Sequence, residues 1–230
     1  ARPGGRSPGD VGVALLRGRY DVPEVRQALG IGLGTVPIVA AGLTIKVLVP
    51  DFDCSPLRSL AAIATASIVM ALLLAMAELI GRRSRDYGQI TTLDGLGLGL
   101  AQALALVPGV SRSGATLTAG LSLSLERVAA TRFSFLLGIP AITLAGIVEL
   151  IGLARRGFVV DGTLCGAAVR TLPVDGGMIL VGTLSSAIFS YLAIAWLLKF
   201  FQTHSSWGFV WYRLGFGALL WLGIGLGWLT

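Results

Sequence analysis

Residues 108–116 read Pro-Gly-Val-Ser-Arg-Ser-Gly-Ala-Thr, and they separate two short apolar runs within the segment 94–125. A helix needs about 20 residues to cross a bilayer, so each run is too short to span it, and both together are too long for one straight span. Pro108 removes a backbone donor and Gly109 frees the dihedral angles, so we expect the helix to break here. The segment therefore predicts two half-length helices that meet at a polar tip inside the membrane, as a re-entrant hairpin.

The polar residues at this break have the properties of a phosphate site. Ser111 or Ser113 can cap the second half-helix, whose free N–H groups and partial positive charge favour an anion. Arg112 adds a permanent cation with a planar set of donors that matches phosphate oxygens. Ser113 and Thr116 lie three residues apart and share a helix face, and Gly114 lets a ligand approach the main chain. The segment therefore predicts an anion-binding tip.

The same residues also have a purely structural interpretation. The hydroxyls could bond back to the helix backbone, while the Arg112 side chain reaches to the membrane interface. An arginine at mid-bilayer depth costs at least ~2.5–3.5 kcal/mol on insertion scales, so its presence beside a helix break favours a functional role.

Composition indicates a membrane protein. The 230 residues include 13% charged residues, where soluble domains have about 25%, and the mean hydropathy is +0.82. The net charge of +6 comes mainly from loops between apolar runs, so topology and anionic lipids explain it better than nucleic acid, which we exclude as a partner. Membrane lipids are expected neighbours, and homo-oligomerisation is left open.

The predicted fold is an all-α, polytopic helical bundle with the re-entrant broken hairpin at 94–125. A polar, basic cytoplasmic segment, 1–26, precedes one membrane domain, 27–230. The predicted spans are 27–49, 57–80, 129–153, 174–198 and 207–229, and a loop is expected at 154–173. Cys54 and Cys165 fall in predicted loops without metal-site spacing; we expect them to be unpaired, with a disulfide between loops as the alternative. The single histidine, His204, is expected to be a solvated loop residue.

One known family matches these motifs. The string from Ala101 to Thr116, with its Pro-Gly-x-Ser-Arg-Ser-Gly-Ala-Thr core, resembles the second signature of the bacterial undecaprenyl-diphosphate phosphatases, the bacitracin-resistance family. The likeness continues through Glu126-Arg127-Val128-Ala129-Ala130-Thr131-Arg132-Phe133-Ser134-Phe135-Leu136-Leu137 and reappears at Tyr212-Arg213. It covers most of the chain from about residue 27. The resemblance also implies an inverted-repeat architecture, of which one half is visible here.

The resemblance implies a hydrolase of the bacterial inner membrane. Its expected reaction converts undecaprenyl (polyprenyl) diphosphate to the monophosphate carrier lipid of cell-wall synthesis, with bacitracin resistance as a consequence. In that reaction Arg112 would neutralise charge on the transferred phosphoryl group. The catalytic candidates are Arg112 and Ser111, and the diphosphate-binding candidates are Gly109, Ser113, Gly114 and Thr116.

The family's first signature, which has glutamates, paired serines and a histidine, has no counterpart in this sequence. We therefore transfer no nucleophile and no metal ligand, and we expect the 230-residue chain alone to hydrolyse little. A divalent cation, magnesium or calcium, is implied by the resemblance only. The alternative function is a transporter or flippase for a lipid phosphate, since broken helices that point at an anion suit that role equally well.

Overall fold

The structure is a computed structural model that describes residues 22–49, 52–155, 159–164, 167–173 and 175–228. Its helices are α1 (Pro23–Leu48), α2 (Leu60–Ile80), α3 (Thr92–Ala103), α4 (Arg112–Ser122), α5 (Arg127–Arg155), α6 (Gly176–Thr203) and α7 (Trp207–Gly225). Single 3-10 turns cover Phe52–Cys54, Pro56–Arg58, Tyr87–Gln89 and Leu104–Leu106. Among these described helices, α1, α2, α5, α6 and α7 are long and apolar enough to cross a membrane. The predicted all-α, multi-pass membrane bundle is therefore confirmed.

Three local features differ from the expectations. The segment 154–173, expected to be a loop, contains an antiparallel hairpin of β1 (Val159–Leu164) and β2 (Ala167–Pro173). Cys54 is disulfide-bonded, so the expectation of unpaired cysteines is wrong for this residue; Cys165 lies outside the described residues. The predicted polar segment 1–26 also lies largely outside them, and its last residues form the first turn of α1, which begins at Pro23.

Glycines bring α1 and α3 into direct backbone contact. A Cβ atom added at Gly99 would lie 2.1 Å from the carbonyl oxygen of Gly34, and one added at Gly34 would lie 2.3 Å from that of Gly95. A Cβ at Gly95 would in turn meet the Gly30 Cα at 2.4 Å. Small residues permit such close approach between membrane helices, where dispersion contacts replace the hydrophobic driving force. Gly95 and Gly99 of α3 are thus explained by helix packing rather than by a strand.

The two ends of the broken hairpin α3–α4 are hydrogen-bonded to each other through Arg85. Its backbone N–H donates to Ser124 O at 3.0 Å, and its carbonyl accepts from Glu126 N at 2.8 Å. Its guanidinium forms a paired hydrogen bond and salt bridge with the carboxylate of Asp94, in the first turn of α3. The hydrogen bond with Asp94 raises the pKa of Arg85, while partial burial opposes the rise. We call this set of contacts the hairpin base.

The buried carboxylate of Glu78 links α2 to α5 near the hairpin base. Glu78, 2% exposed, pairs with the guanidinium groups of Arg127 and Arg83. A buried charge is costly unless it is paired, so these arginines compensate it. The largest buried side chains of the described residues form one cluster and belong to α2, α3, α4, α5 and their connections: Leu74, Ile90, Leu98, Leu121, Leu125, Phe133 and Leu137.

Helix α6 lies at the edge of the bundle. Phe201, near its C-terminus, is buried, whereas Leu184, Phe189 and Trp196 expose more than half of their surface. His204 follows α6 and is exposed, as expected; its ring stacks on Phe200, with 4.4 Å between centroids.

Candidate active site

The helix breaks at the predicted position. Helix α3 ends at Ala103, a 3-10 turn covers Leu104–Leu106, and α4 begins at Arg112. Gly109 adopts φ +88°, a left-handed conformation that favours glycine. A Cβ atom at Gly109 would lie 2.5 Å from the carbonyl oxygen of Ile63, so the tip of the hairpin packs directly on the backbone of α2.

We expect Gly109→Ala to destabilise the protein by about 1–3 kcal/mol, because the left-handed backbone becomes strained and the new methyl group meets Ile63. The measurement is the midpoint of thermal unfolding in detergent. Gly146→Ala is the matched control, since a Cβ at Gly146 of α5 meets nothing within 4 Å. Equal midpoints for the two variants would show that the tip is not held in this conformation.

Hydroxyl groups organise the first turn of α4. Ser111 is the N-cap and accepts a hydrogen bond from Gly114 N at 3.2 Å, and its oxygen lies 3.3 Å from the Ser113 hydroxyl. Thr116 is 1% exposed, and its hydroxyl donates to the carbonyls of Arg112 and Ser113 at 2.9 and 3.3 Å. The Thr116 hydroxyl is therefore bonded to the backbone of α4, whereas the hydroxyls of Ser111 and Ser113 lie at the N-terminus of this helix.

Arg112 faces a large apolar groove between α1 and α5. The cavity has a volume of about 380 Å³. Its walls come from α1, the Leu104–Leu106 turn and α5, and they include Ile38, Val39, Leu43, Leu106, Ile142 and Val148. Lys46 and Glu149 also line it. Within the described part of the chain, no carboxylate lies within salt-bridge distance of Arg112, so its charge is available to an anion.

Ser111, Ser113 and Gly114 line a second, smaller cavity of about 210 Å³. Arg213 of α7 lines it with them, donates to Gly109 O at 2.7 Å, and is 8% exposed. Thr131 and Ser134 of α5 add further hydroxyls, and the remaining walls are apolar, with Leu117, Phe135, Phe201 and Phe209 among them. The N-terminus of α4 thus separates two cavities, with Arg112 in one and its neighbouring hydroxyls in the other.

Sequence reasoning did not assign Arg213 or Thr131 to the site. The signal was available for Arg213, because a lone arginine inside an apolar span marks a functional position by default. Thr131 carried no such signal, since a threonine in a membrane helix ordinarily bonds to its own backbone. The roles proposed for Arg112, Ser111, Ser113, Gly114, Thr116 and Gly109 stay predictions.

A divalent cation has no evident ligand set here. Among the described residues, no group of three or more His, Cys, Asp and Glu side chains could hold a metal ion. The cation that the resemblance implies stays a prediction.

Comparison with known proteins decides the family. The family model described as bacitracin resistance protein BacA matches residues 11–219. The chain belongs to the BacA family. The match includes both halves of the broken hairpin and Arg213, so the residues around both cavities lie within the BacA region.

Curated relatives carry the name undecaprenyl-diphosphatase. The chain is 58% identical to the one from Synechocystis sp. over 214 residues, which are 93% of the chain and 62% of that relative. It is 53% identical to the one from Trichodesmium erythraeum over 211 residues, 92% of the chain and 64% of the relative. The relative from Synechococcus elongatus is 53% identical, with 93% of the chain and 70% of the relative covered. The chain spans about three fifths of the length of the first two BacA relatives.

Proposed function

We propose that this chain carries part of the active site of an undecaprenyl-diphosphate phosphatase of the bacterial inner membrane. The reaction would split the bond between the two phosphates of a polyprenyl diphosphate, leave the monophosphate carrier lipid, and release inorganic phosphate. The observation that carries the proposal is the N-terminus of α4, where Arg112, which has no carboxylate partner among the described residues, adjoins the hydroxyls of Ser111 and Ser113.

The residues have distinct roles in this proposal. Arg112 would bind the diphosphate in the large groove and offset the charge that develops on the transferred phosphoryl group. The apolar walls of the groove would hold the first isoprenoid units of the lipid. Ser111 would fix the first turn of α4 through its bond to Gly114 N, so that the N–H groups keep their direction toward the anion.

The proposal includes re-entry of the hairpin into the membrane. Helices α3 and α4 have 12 and 11 residues, too few to cross a hydrocarbon core of about 30 Å. The hairpin base brings both ends of the hairpin together, which supports an approach and return on one side. Arginines cluster near that base, as cytoplasmic loops of membrane proteins do.

The experiment measures phosphate release from a polyprenyl diphosphate by the purified full-length protein in detergent. We expect inorganic phosphate and the lipid monophosphate to form in equal amounts. Hydrolysis needs no sealed bilayer, whereas lipid flipping does. Lipid phosphate transfer across sealed vesicles without phosphate release in detergent would overturn the phosphatase and favour the transporter.

A further inference from the structure

The two helices that form the walls of the large groove, α1 and α5, run parallel and in register. A Cβ atom added at Gly30 would lie 3.4 Å from Cζ of Phe133, and one added at Gly34 would lie 2.9 Å from Cδ1 of Leu137. Both contacts have the same sequence offset, so successive turns of α1 meet successive turns of α5. The walls are therefore in close contact toward their N-terminal ends, where α5 begins beside the hairpin base.

Each wall contains a proline at the same level. Continuing the offset of these contacts along both helices places Pro37 of α1 level with Pro140 of α5. A proline inside a helix removes a backbone hydrogen bond and kinks the axis. The groove lining starts at the next residue of each helix, Ile38 and Ala141. The two prolines thus mark the level at which the walls separate and the groove begins.

Two opposite charges lie at the other end of the groove. Lys46 and Glu149 are the last lining residues of α1 and α5, and the same offset places them level with each other. Both are exposed, and among the described residues neither lies within salt-bridge distance of an opposite charge. An ionisable side chain within a membrane span is costly and marks a functional position by default, so this matched pair calls for a role.

Arg112 lies near the closed end of the groove. Its Nη1 is 3.9 Å from the position that a Cβ of Gly138 would take, just before Pro140. Glu149 is eleven residues beyond Gly138, which corresponds to about 16 Å along the helix. The charged pair is therefore too distant to contact a diphosphate held by Arg112, and its role concerns entry to the groove.

We propose that Lys46 and Glu149 form a gate for the lipid substrate at the open end of the groove. This inference rests on the proposed function, because it takes the groove as the site of the lipid. In the closed state the two side chains pair across the groove, and the structure shows them apart, in the open state. An arriving polyprenyl diphosphate replaces Glu149 as the partner of Lys46, the walls separate, and the headgroup passes on to Arg112.

Carbodiimide cross-linking of the full-length protein in detergent tests the pairing, because this reagent joins an amine to a carboxylate that touches it. The chain has lysines at positions 46 and 199 only, so peptide mass spectrometry can assign the product. We expect a cross-link between Lys46 and Glu149 in the lipid-free protein. Saturating farnesyl diphosphate should lower its yield severalfold, since a ligand that binds the open state depletes the closed one.

Two lysine variants control the cross-link. Lys46→Arg keeps the positive charge but lacks the reactive amine, so it should abolish the product. Lys199→Arg, which changes an exposed lysine of α6, should leave both the cross-link and its suppression by farnesyl diphosphate unchanged. The proposal is overturned if the lipid-free protein gives no cross-link between Lys46 and Glu149, or if farnesyl diphosphate leaves the yield unchanged.

Glu149→Gln separates a gate from a structural ion pair. It removes the competing carboxylate and leaves Lys46 free, so KM for phosphate release from a polyprenyl diphosphate should fall severalfold. The kcat should stay the same, because the reacting groups lie at Arg112. A purely structural pair would change the unfolding midpoint and not KM, and an unchanged KM would overturn the gate. A cross-link that the probe suppresses in a protein releasing no phosphate would support the gate and overturn the phosphatase.

Discussion

Arg112→Ala is expected to lower kcat of phosphate release by about 10²–10³-fold, the usual effect of removing one donor that stabilises transition-state charge. Arg112 lines the large groove, and no carboxylate of the described residues neutralises it. Arg112→Lys should recover only a small part of the activity. A lysine keeps the charge but lacks the planar pair of donors that matches phosphate oxygens.

The measurement is the steady-state rate of phosphate release by the full-length protein in detergent with a polyprenyl diphosphate. Arg82→Ala serves as the control, because Arg82 is exposed at the end of α2 and should keep full activity. Unchanged kcat in both Arg112 variants would remove this residue from the proposed mechanism, although the phosphate release itself would still support a phosphatase.

Gly99→Val is expected to produce the largest loss of stability. The added Cβ would lie 2.1 Å from Gly34 O and 2.5 Å from Gly34 Cα, and neither backbone atom can move without separating α1 from α3. Overpacking of a close contact costs about 1–3 kcal/mol and occasionally more. The midpoint of thermal or denaturant unfolding in detergent checks this result.

Two glycines on the same pair of helices provide matched controls. A Cβ at Gly32 of α1 meets nothing within 4 Å, and one at Gly97 of α3 lies 3.7 Å from Leu123 Cδ1, an ordinary contact. Gly32→Val and Gly97→Val should leave the unfolding midpoint close to that of the unaltered protein. If all three variants unfolded alike, helix propensity rather than the α1–α3 contact would explain the effect.

The helical membrane class could be read from the sequence because long apolar runs have few alternatives in a bilayer. The break at Pro108 and Gly109 was predictable for a similar reason, since both residues act on the local backbone. The pairing of β1 with β2 was not predictable, because hydropathy separates spans from connections but carries little information about the structure of a connection.

The candidate site was predicted in part. Local spacing predicted Ser111 or Ser113 as the cap of α4, and the structure shows that the cap is Ser111. Spacing could not reveal that Arg112 and its neighbouring serines line different cavities, because that depends on where α5 and α7 pack. Arg213 reaches Gly109 across 104 positions of sequence, and a contact at that separation follows from tertiary packing alone.

The hairpin base also limits how the tip can move. Because Arg85 is bonded to Ser124 and Glu126 while its side chain holds Asp94, the helices α3 and α4 cannot slide past one another without breaking these bonds. We therefore expect motion at the tip to be a tilt of both helices together about the hairpin base. A small tilt there would displace Arg112 and Gly109 together.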